Sequence, residues 1–180
     1  RLRVLGEHEG VVDAEQPGLV IADFSARNIE RLRTFRDIAK ARNRRLVVTT
    51  KDAYLLQQLH RVDPKIPCPT EEIGVLKEFQ GTVGLWERGV HTDCAANLID
   101  AQQIRRDPGA YIVCISYWDI TNLVDLEPDG GTYIFSSSEA YDEEQKIDHQ
   151  RLVSWLTHFG LKMGGGLPGA EKGPYQASGH

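Results

Sequence analysis

Cysteine is scarce in this chain, and its pattern suggests no pairing. Cys68, Cys94 and Cys114 are the only three, an odd number with no CxxC spacing. They read as reduced structural thiols in a cytoplasm rather than as a disulfide framework or a zinc knuckle. The six histidines, His8, His60, His91, His149, His158 and His180, form no HxH, HxxxH or HExxH pattern. No zinc site can therefore be read from this chain alone. A GxSxG elbow and a Walker loop are also lacking, and "GGG" at 164–166 is too isolated to be more than linker. The longest apolar runs, "GLVIA" and "YIVCI", fall far below the ~20 residues a bilayer crossing needs, so no membrane partner is expected. No charged-then-apolar stretch opens these residues, which begin at Arg1 without an initiator methionine, Met163 being the only Met; a truncated N-terminus would have lost such a leader. A net charge of −5 excludes a surface that attracts polyanions everywhere, so any nucleic-acid contact must come from a local patch.

What is present is a globular composition, 41% hydrophobic and 26% charged, in a length that suits one domain with a real core. Short apolar runs alternate with amphipathic ones. "GLVIAD" (18–23), "RLVVTT" (45–50), "YIVCIS" (111–116) and "TYIFSSS" (132–138) read as strands. The last two are apolar throughout, as doubly covered parallel strands are. Ile29, Leu32, Phe35, Ile38 and Ala39 recur at helical spacing between Asn28 and Arg42. Further helices are predicted over 51–59, 93–106 and 142–160, the last closed by Gly160. "IGVLKEF" fits a short helix or strand, 61–92 is otherwise unreadable, and "MGGGLPGAEKGP" reads as loop. This alternation argues an α/β fold, an open and mostly parallel sheet with helices on both faces.

In such sheets ligands sit beyond the carboxyl ends of the strands, and three tips there look alike: "DFSARN", "TTKD" and "SSSEAYDEE". Each puts hydroxyls or a cation at a helix N-terminus, where free N–H groups favour a phosphate. Ser25, Asn28, Ser137 and Ser138 are equally ordinary caps, although three polar tips on one edge favour an anion-binding rim. Arg31, Arg33, Arg36, Lys40 and Arg42, flanked by Arg27, Arg44 and Arg45, form a basic cluster around the first helix. It fits either a phosphate-backbone patch or a solvated face salt-bridged by Glu30 and Asp37. Its one aromatic, Phe35, belongs to the apolar series of the helix, so aromatic interleaving of the kind that stacks bases is absent.

The ordered set "VIADFSARNIERLRTFRDIAKARNRRLVVTTKD", "DPGAYIVCIS", "GTYIFSSSEAYDEEQKIDHQRLVSWLTHFG" and the final "SGH" resembles the β-CASP region of metallo-β-lactamase-fold nucleases. These include ribonuclease J, the pre-mRNA 3′-end endonuclease and Artemis-like DNA nucleases. The likeness runs from about residue 19 to 180. It implies a Rossmann-like domain inserted in a metallo-β-lactamase domain as a lid over two zinc ions. The HxHxDH ligand motif lies outside this chain, so two zinc ions are implied for the parent and none for this piece. The resemblance divides the chain into a connector at 1–18, a β-CASP domain at 19–162 and a returning segment at 163–180. It further implies a cytoplasmic, RNA-processing hydrolase, with RNA or DNA and the metallo-β-lactamase domain as partners, whose excised lid is inactive.

By the same resemblance His180 matches the histidine of the family's "SGH" segment, which contacts the scissile phosphate and helps protonate the leaving oxygen. An imidazole suits that task near neutral pH. Ser178 and Gly179 would cradle the phosphate. Gln176 stands where ribonuclease J-like members often carry histidine, and its amide can still bond a phosphate oxygen. The phosphate-binding set expected is thus Ser178, Gly179, Gln176, Ser25, Arg27, Asn28, Ser137 and Ser138. A non-catalytic nucleotide- or nucleic-acid-binding module, or a partner-binding domain whose tips are only caps, are the other readings of the residues.

Overall fold

The Val- and Ile-rich runs become strands covered on both faces. A computed structural model describes residues 18–78, 84–135 and 143–164. Its strands are β1 (Leu19–Asp23), β2 (Arg45–Val48), β3 (Gly74–Lys77), β4 (Leu98–Asp100), β5 (Tyr111–Cys114), β6 (Gly131–Phe135) and β7 (Leu161–Gly164). They form one sheet in the order β4-β3-β2-β5-β1-β6-β7, every pairing parallel. The helices are α1 (Ile29–Ala41), α2 (Thr50–Val62), α3 (Leu85–Asp93), α4 (Ala101–Arg106), α5 (Asn122–Leu126) and α6 (Glu143–His158). This is a Rossmann-like open α/β fold, and all-parallel where "mostly parallel" was expected.

Chain direction explains which face each helix takes. From β1 to β4 the strands step one way across the sheet, and from β4 to β7 they step the other way. Right-handed crossovers therefore put α1–α3 on one face and α4–α6 on the opposite one. Alternate residues of β1 serve the two faces. Val20 and Ala22 pack with Leu32, Phe35 and Leu56, whereas Leu19 and Ile21 pack with Leu123, Leu152 and Leu156. Each of these buried Val, Leu, Ile and Phe side chains contributes about 1.5–3 kcal/mol of transfer free energy.

Local chemistry sets the element ends. Asn28 Oδ1 accepts the Arg31 N–H at 3.1 Å, Glu30 and Lys40 complement the dipole of α1, and Phe35 stacks on Phe24 with centroids 5.0 Å apart. Asn43 ends the helix at φ 53°, a left-handed conformation that asparagine tolerates. Arg44, only 5% exposed, then donates to the Gly18 carbonyl at 2.9 Å and the Tyr111 carbonyl at 3.4 Å, tying the amino ends of β1 and β5. Gly131, at φ 127°, lies so close to β1 that a Cβ would come within 2.2 Å of the Leu19 carbonyl oxygen. Gly160 closes α6 at φ 63°, as its sequence position predicted.

Two sequence expectations are corrected. The stretch 93–106 is not one helix, since Leu98–Asp100 pairs with β3 and Asp100 then starts α4. A reciprocal bond between Asp100 and Gln103, 2.8 and 2.9 Å, caps that start. The sequence after Gly160 begins as a strand rather than a loop, because β7 pairs with β6. Its edge position exposes Lys162 and Met163 and buries only Leu161, which removes the apolar signature. Helix α3 falls in the stretch that the sequence left unreadable.

Candidate functional site

The strand order places the site. Helices leave β1 toward one face and leave its neighbours β5 and β6 toward the other, so the chain parts on either side of the β1 tip, as it does between β2 and β5. The edge carries two described groups of side chains, at the β1 tip and in the β2–β5 crevice.

At the β1 tip, Ser25 Oγ accepts the Arg27 N–H at 3.3 Å and the Ser25 carbonyl accepts the Asn28 N–H at 2.9 Å. With Asn28 capping Arg31, both polar side chains are engaged as caps. The Arg27 guanidinium is exposed and has no hydrogen bond or ion pair among the described residues, although its charge reaches Asp52. Ser137, Ser138, Gln176, Ser178, Gly179 and His180 lie outside the described residues.

The "TTKD" tip builds the crevice. Thr49 Oγ1 accepts the Asp52 N–H at 3.2 Å and donates to Asp52 Oδ2 at 3.1 Å, capping α2. Thr50 Oγ1 donates to the Leu76 carbonyl at 3.1 Å, which leaves it to accept from His91 Nε2 at 3.1 Å. Lys51 Nζ reaches across to Asp119 of the turn after β5, at 2.9 and 3.2 Å. Asp119 Oδ2 also accepts from Ser116 Oγ at 2.6 Å, and Asn122 Nδ2 donates to Glu78 Oε1 at 3.3 Å. Deeper down, the buried Asp23 accepts the Tyr117 N–H at 3.2 Å.

The electrostatics follow from this packing. Burial pushes the carboxyls of Asp52 and Glu78 above the usual range, partly offset by their hydrogen bonds to Thr49 and Asn122. The bond to Asp119 holds the Lys51 ammonium above its ordinary value despite partial burial. Burial and then the Asp23 charge push the Tyr133 phenol far up. Lys51 is thus a neutralised cation among carboxylates. Of the basic groups at the described tips, Arg27 is the one left for an anion.

Much of the basic cluster is spent on the fold. Arg33 donates to the Lys65 carbonyl at 2.8 Å. Arg36 pairs with Asp37 at 2.8 Å and lies 3.9 Å from Glu72, which also pairs with Lys40. Arg45 bonds Asn97. At these positions the salt-bridged face is what forms, with exposed pairs worth roughly 0–1 kcal/mol each. All three cysteines are buried and free. Burial raises the Cys94 thiol to about 11 and pushes the Cys114 thiol well above its ordinary value, which makes both poor nucleophiles.

Sequence reasoning flagged the tips of β1 and β2 but not Asp119, Glu78 or Asn122, which reach the crevice from other strand ends with no local motif. Among the described residues no group of three or more His, Cys, Asp or Glu side chains is placed to hold a metal ion. No helix among the described residues is long and apolar enough to cross a membrane.

No protein-family model matches the chain, and no curated protein matches it in sequence. The fold is shared with a crystal structure of a protein of unknown function from Enterococcus faecalis V583, at TM-score 0.55 and 13% identity. That likeness covers 90% of this chain and 32% of the other, so this chain spans about a third of that protein. At such identity the likeness speaks to the fold alone.

Proposed function

We propose that this chain is the substrate-clamping lid domain of a metal-dependent phosphodiesterase of the β-CASP kind, acting on RNA, with its metal centre outside the chain. One observation supports it beyond the ordered motifs. The Ser25–Asn28 tip stands at the carboxyl end of central β1 with Arg27 exposed, at the edge where open α/β sheets take ligands. A guanidinium there can grip a phosphate without reading bases. Ser137 and Ser138 follow the neighbouring strand β6 in sequence, and Ser178, Gly179 and Gln176 would complete the phosphate contacts. His180 would protonate the leaving oxygen, and the 180-residue chain by itself would cleave nothing.

The test uses the polypeptide that carries this chain together with its catalytic domain. Arg27→Ala should weaken single-stranded RNA binding across all sequences and reduce the slope of log K against log salt by roughly 0.7. His180→Ala should leave binding nearly intact and slow single-turnover cleavage by a factor on the order of 100 or more. Normal cleavage by the His180 variant would overturn the assignment. So would robust nuclease activity from the 180-residue chain alone.

A further inference from the structure

Large apolar side chains crowd the crevice side of the carboxyl edge, where they serve no core. Trp118 is 81% exposed, Leu85 84%, Trp86 45% and Tyr54 43%. Tyr54 and Trp86 touch directly, and the Lys51–Asp119 pair carries the strip across the crevice to Trp118. Trp118 precedes Asp119, which holds Lys51 at 2.9 Å. Lys51 lies one helical turn before Tyr54 on the same side of α2. The Tyr54 ring meets Trp86 edge-on with centroids 5.5 Å apart, and Leu85 adjoins Trp86 at the start of α3. Exposed apolar side chains gathered in this way mark an interaction site.

We propose that this strip docks a basic segment of a separate protein chain, one that presents arginine or lysine side chains among apolar ones. Charge selects the occupant. Glu78, Glu87 and Asp119 lie close enough to Lys51 and to one another to couple electrically, with Asp52 buried beneath them. The cations here are Lys51, which Asp119 neutralises, Arg27 at the border and Arg88 one turn after Leu85. A phosphodiester backbone meets repulsion here, whereas a guanidinium or ammonium gains both the carboxylates and the faces of Trp and Tyr. Burial already disfavours the ionised forms of Asp52 and Glu78, so an arriving cation relieves an existing cost. A second copy of this chain is a poorer match, because Arg33, Arg36, Lys40, Arg44 and Arg45 of its basic cluster are engaged internally. The strip is separate in purpose from the Arg27 tip, and the proposal does not depend on nuclease activity.

The experiment titrates the 180-residue chain with a short peptide of alternating arginine and leucine while following tryptophan fluorescence and heat. Parallel titrations use the glutamate-for-arginine peptide and single-stranded oligouridylate, and sedimentation reports self-association. Saturable binding of the arginine peptide is expected, weakened about ten-fold or more in a Trp86→Ala/Trp118→Ala double variant, with a smaller loss in Glu78→Gln. Both tryptophans are substantially exposed, so the double variant should keep the wild-type circular dichroism. Undiminished peptide binding by that variant would mean diffuse attraction to an acidic protein and would overturn the proposal. It also fails if the arginine peptide does not bind, or if the tryptophans respond only to oligouridylate or to self-association.

Discussion

The β1 tip and the β2–β5 crevice lie on the same edge of one sheet, yet they are built on different length scales. At the β1 tip the bonds that hold Ser25, Arg27 and Asn28 span two or three residues, and a cation is left exposed. In the crevice, Lys51 meets Asp119 across 68 residues and Asn122 meets Glu78 across 44, and the cation is cancelled. The two strand-to-helix tips look equally phosphate-friendly as sequences, and tertiary partners separate them. A polar helix start is therefore an anion site only if the neighbouring strand ends leave its charge unspent.

The strongest way to break this contrast is to disturb the strand contact that seats the amino end of β1, the strand that carries the tip. Gly131→Ala would force a Cβ onto the Leu19 carbonyl at a positive φ. It should cost more than about 2 kcal/mol and lower Tm by several degrees, measured by calorimetry. An unchanged Tm would mean that β6 does not sit against β1 as described. Next in size, Arg44→Ala should cost about 1–3 kcal/mol, since it strips the Gly18 and Tyr111 carbonyls of a buried donor. Urea denaturation checks this, and a loss below about 0.5 kcal/mol would sink it.

Sharpening the contrast needs a milder change. Asp119→Asn removes the partner of Lys51 and should cost under about 1 kcal/mol, since Lys51 is largely exposed. It should also release a cation, so that oligouridylate binding gains a steeper salt dependence, by roughly 0.7 per new phosphate contact. An unchanged slope would show that the remaining carboxylates still exclude the backbone.

The smallest effect concerns pH. Asp52 and Glu78 have raised values in the folded state, so the fold binds their protons more tightly than the unfolded chain does. The stability they contribute is complete below the ordinary carboxylate range and is lost as pH rises through their raised values. An Asp52→Asn/Glu78→Gln variant should therefore show less decline in Tm than wild type between about pH 4 and pH 7. Parallel melting curves across that window would refute this. Lys51 works at the opposite end, since its raised value makes the Asp119 pair a contribution that fades only at strongly alkaline pH.

The strands at 18–23, 45–50 and 111–116, the helix ending at Gly160 and the α/β class were legible because each rests on a periodicity or a cap within a few residues. Helix α3 hid because its helical segment buries only Val90, too little apolar pattern to register. Edge strands β4 and β7 hid for a related reason, since three or four residues with one buried side chain each do not alternate long enough to be seen.

The sequence by itself determined the layered α/β plan, the capping at Asn28 and Thr49, and a basic cluster around α1, because propensity, capping and hydrophobic period act over one or two turns. Only the tertiary structure decided that Lys40 of that cluster pairs with Glu72 and that Arg33 and Arg44 bond distant backbone carbonyls. It also decided that Lys51 is neutralised by Asp119, and that Tyr54 and Trp86 meet edge to edge on an acidic rim. Those outcomes depend on which strand lies beside which, and the strand order β4-β3-β2-β5-β1-β6-β7 is set by packing between residues far apart in the chain.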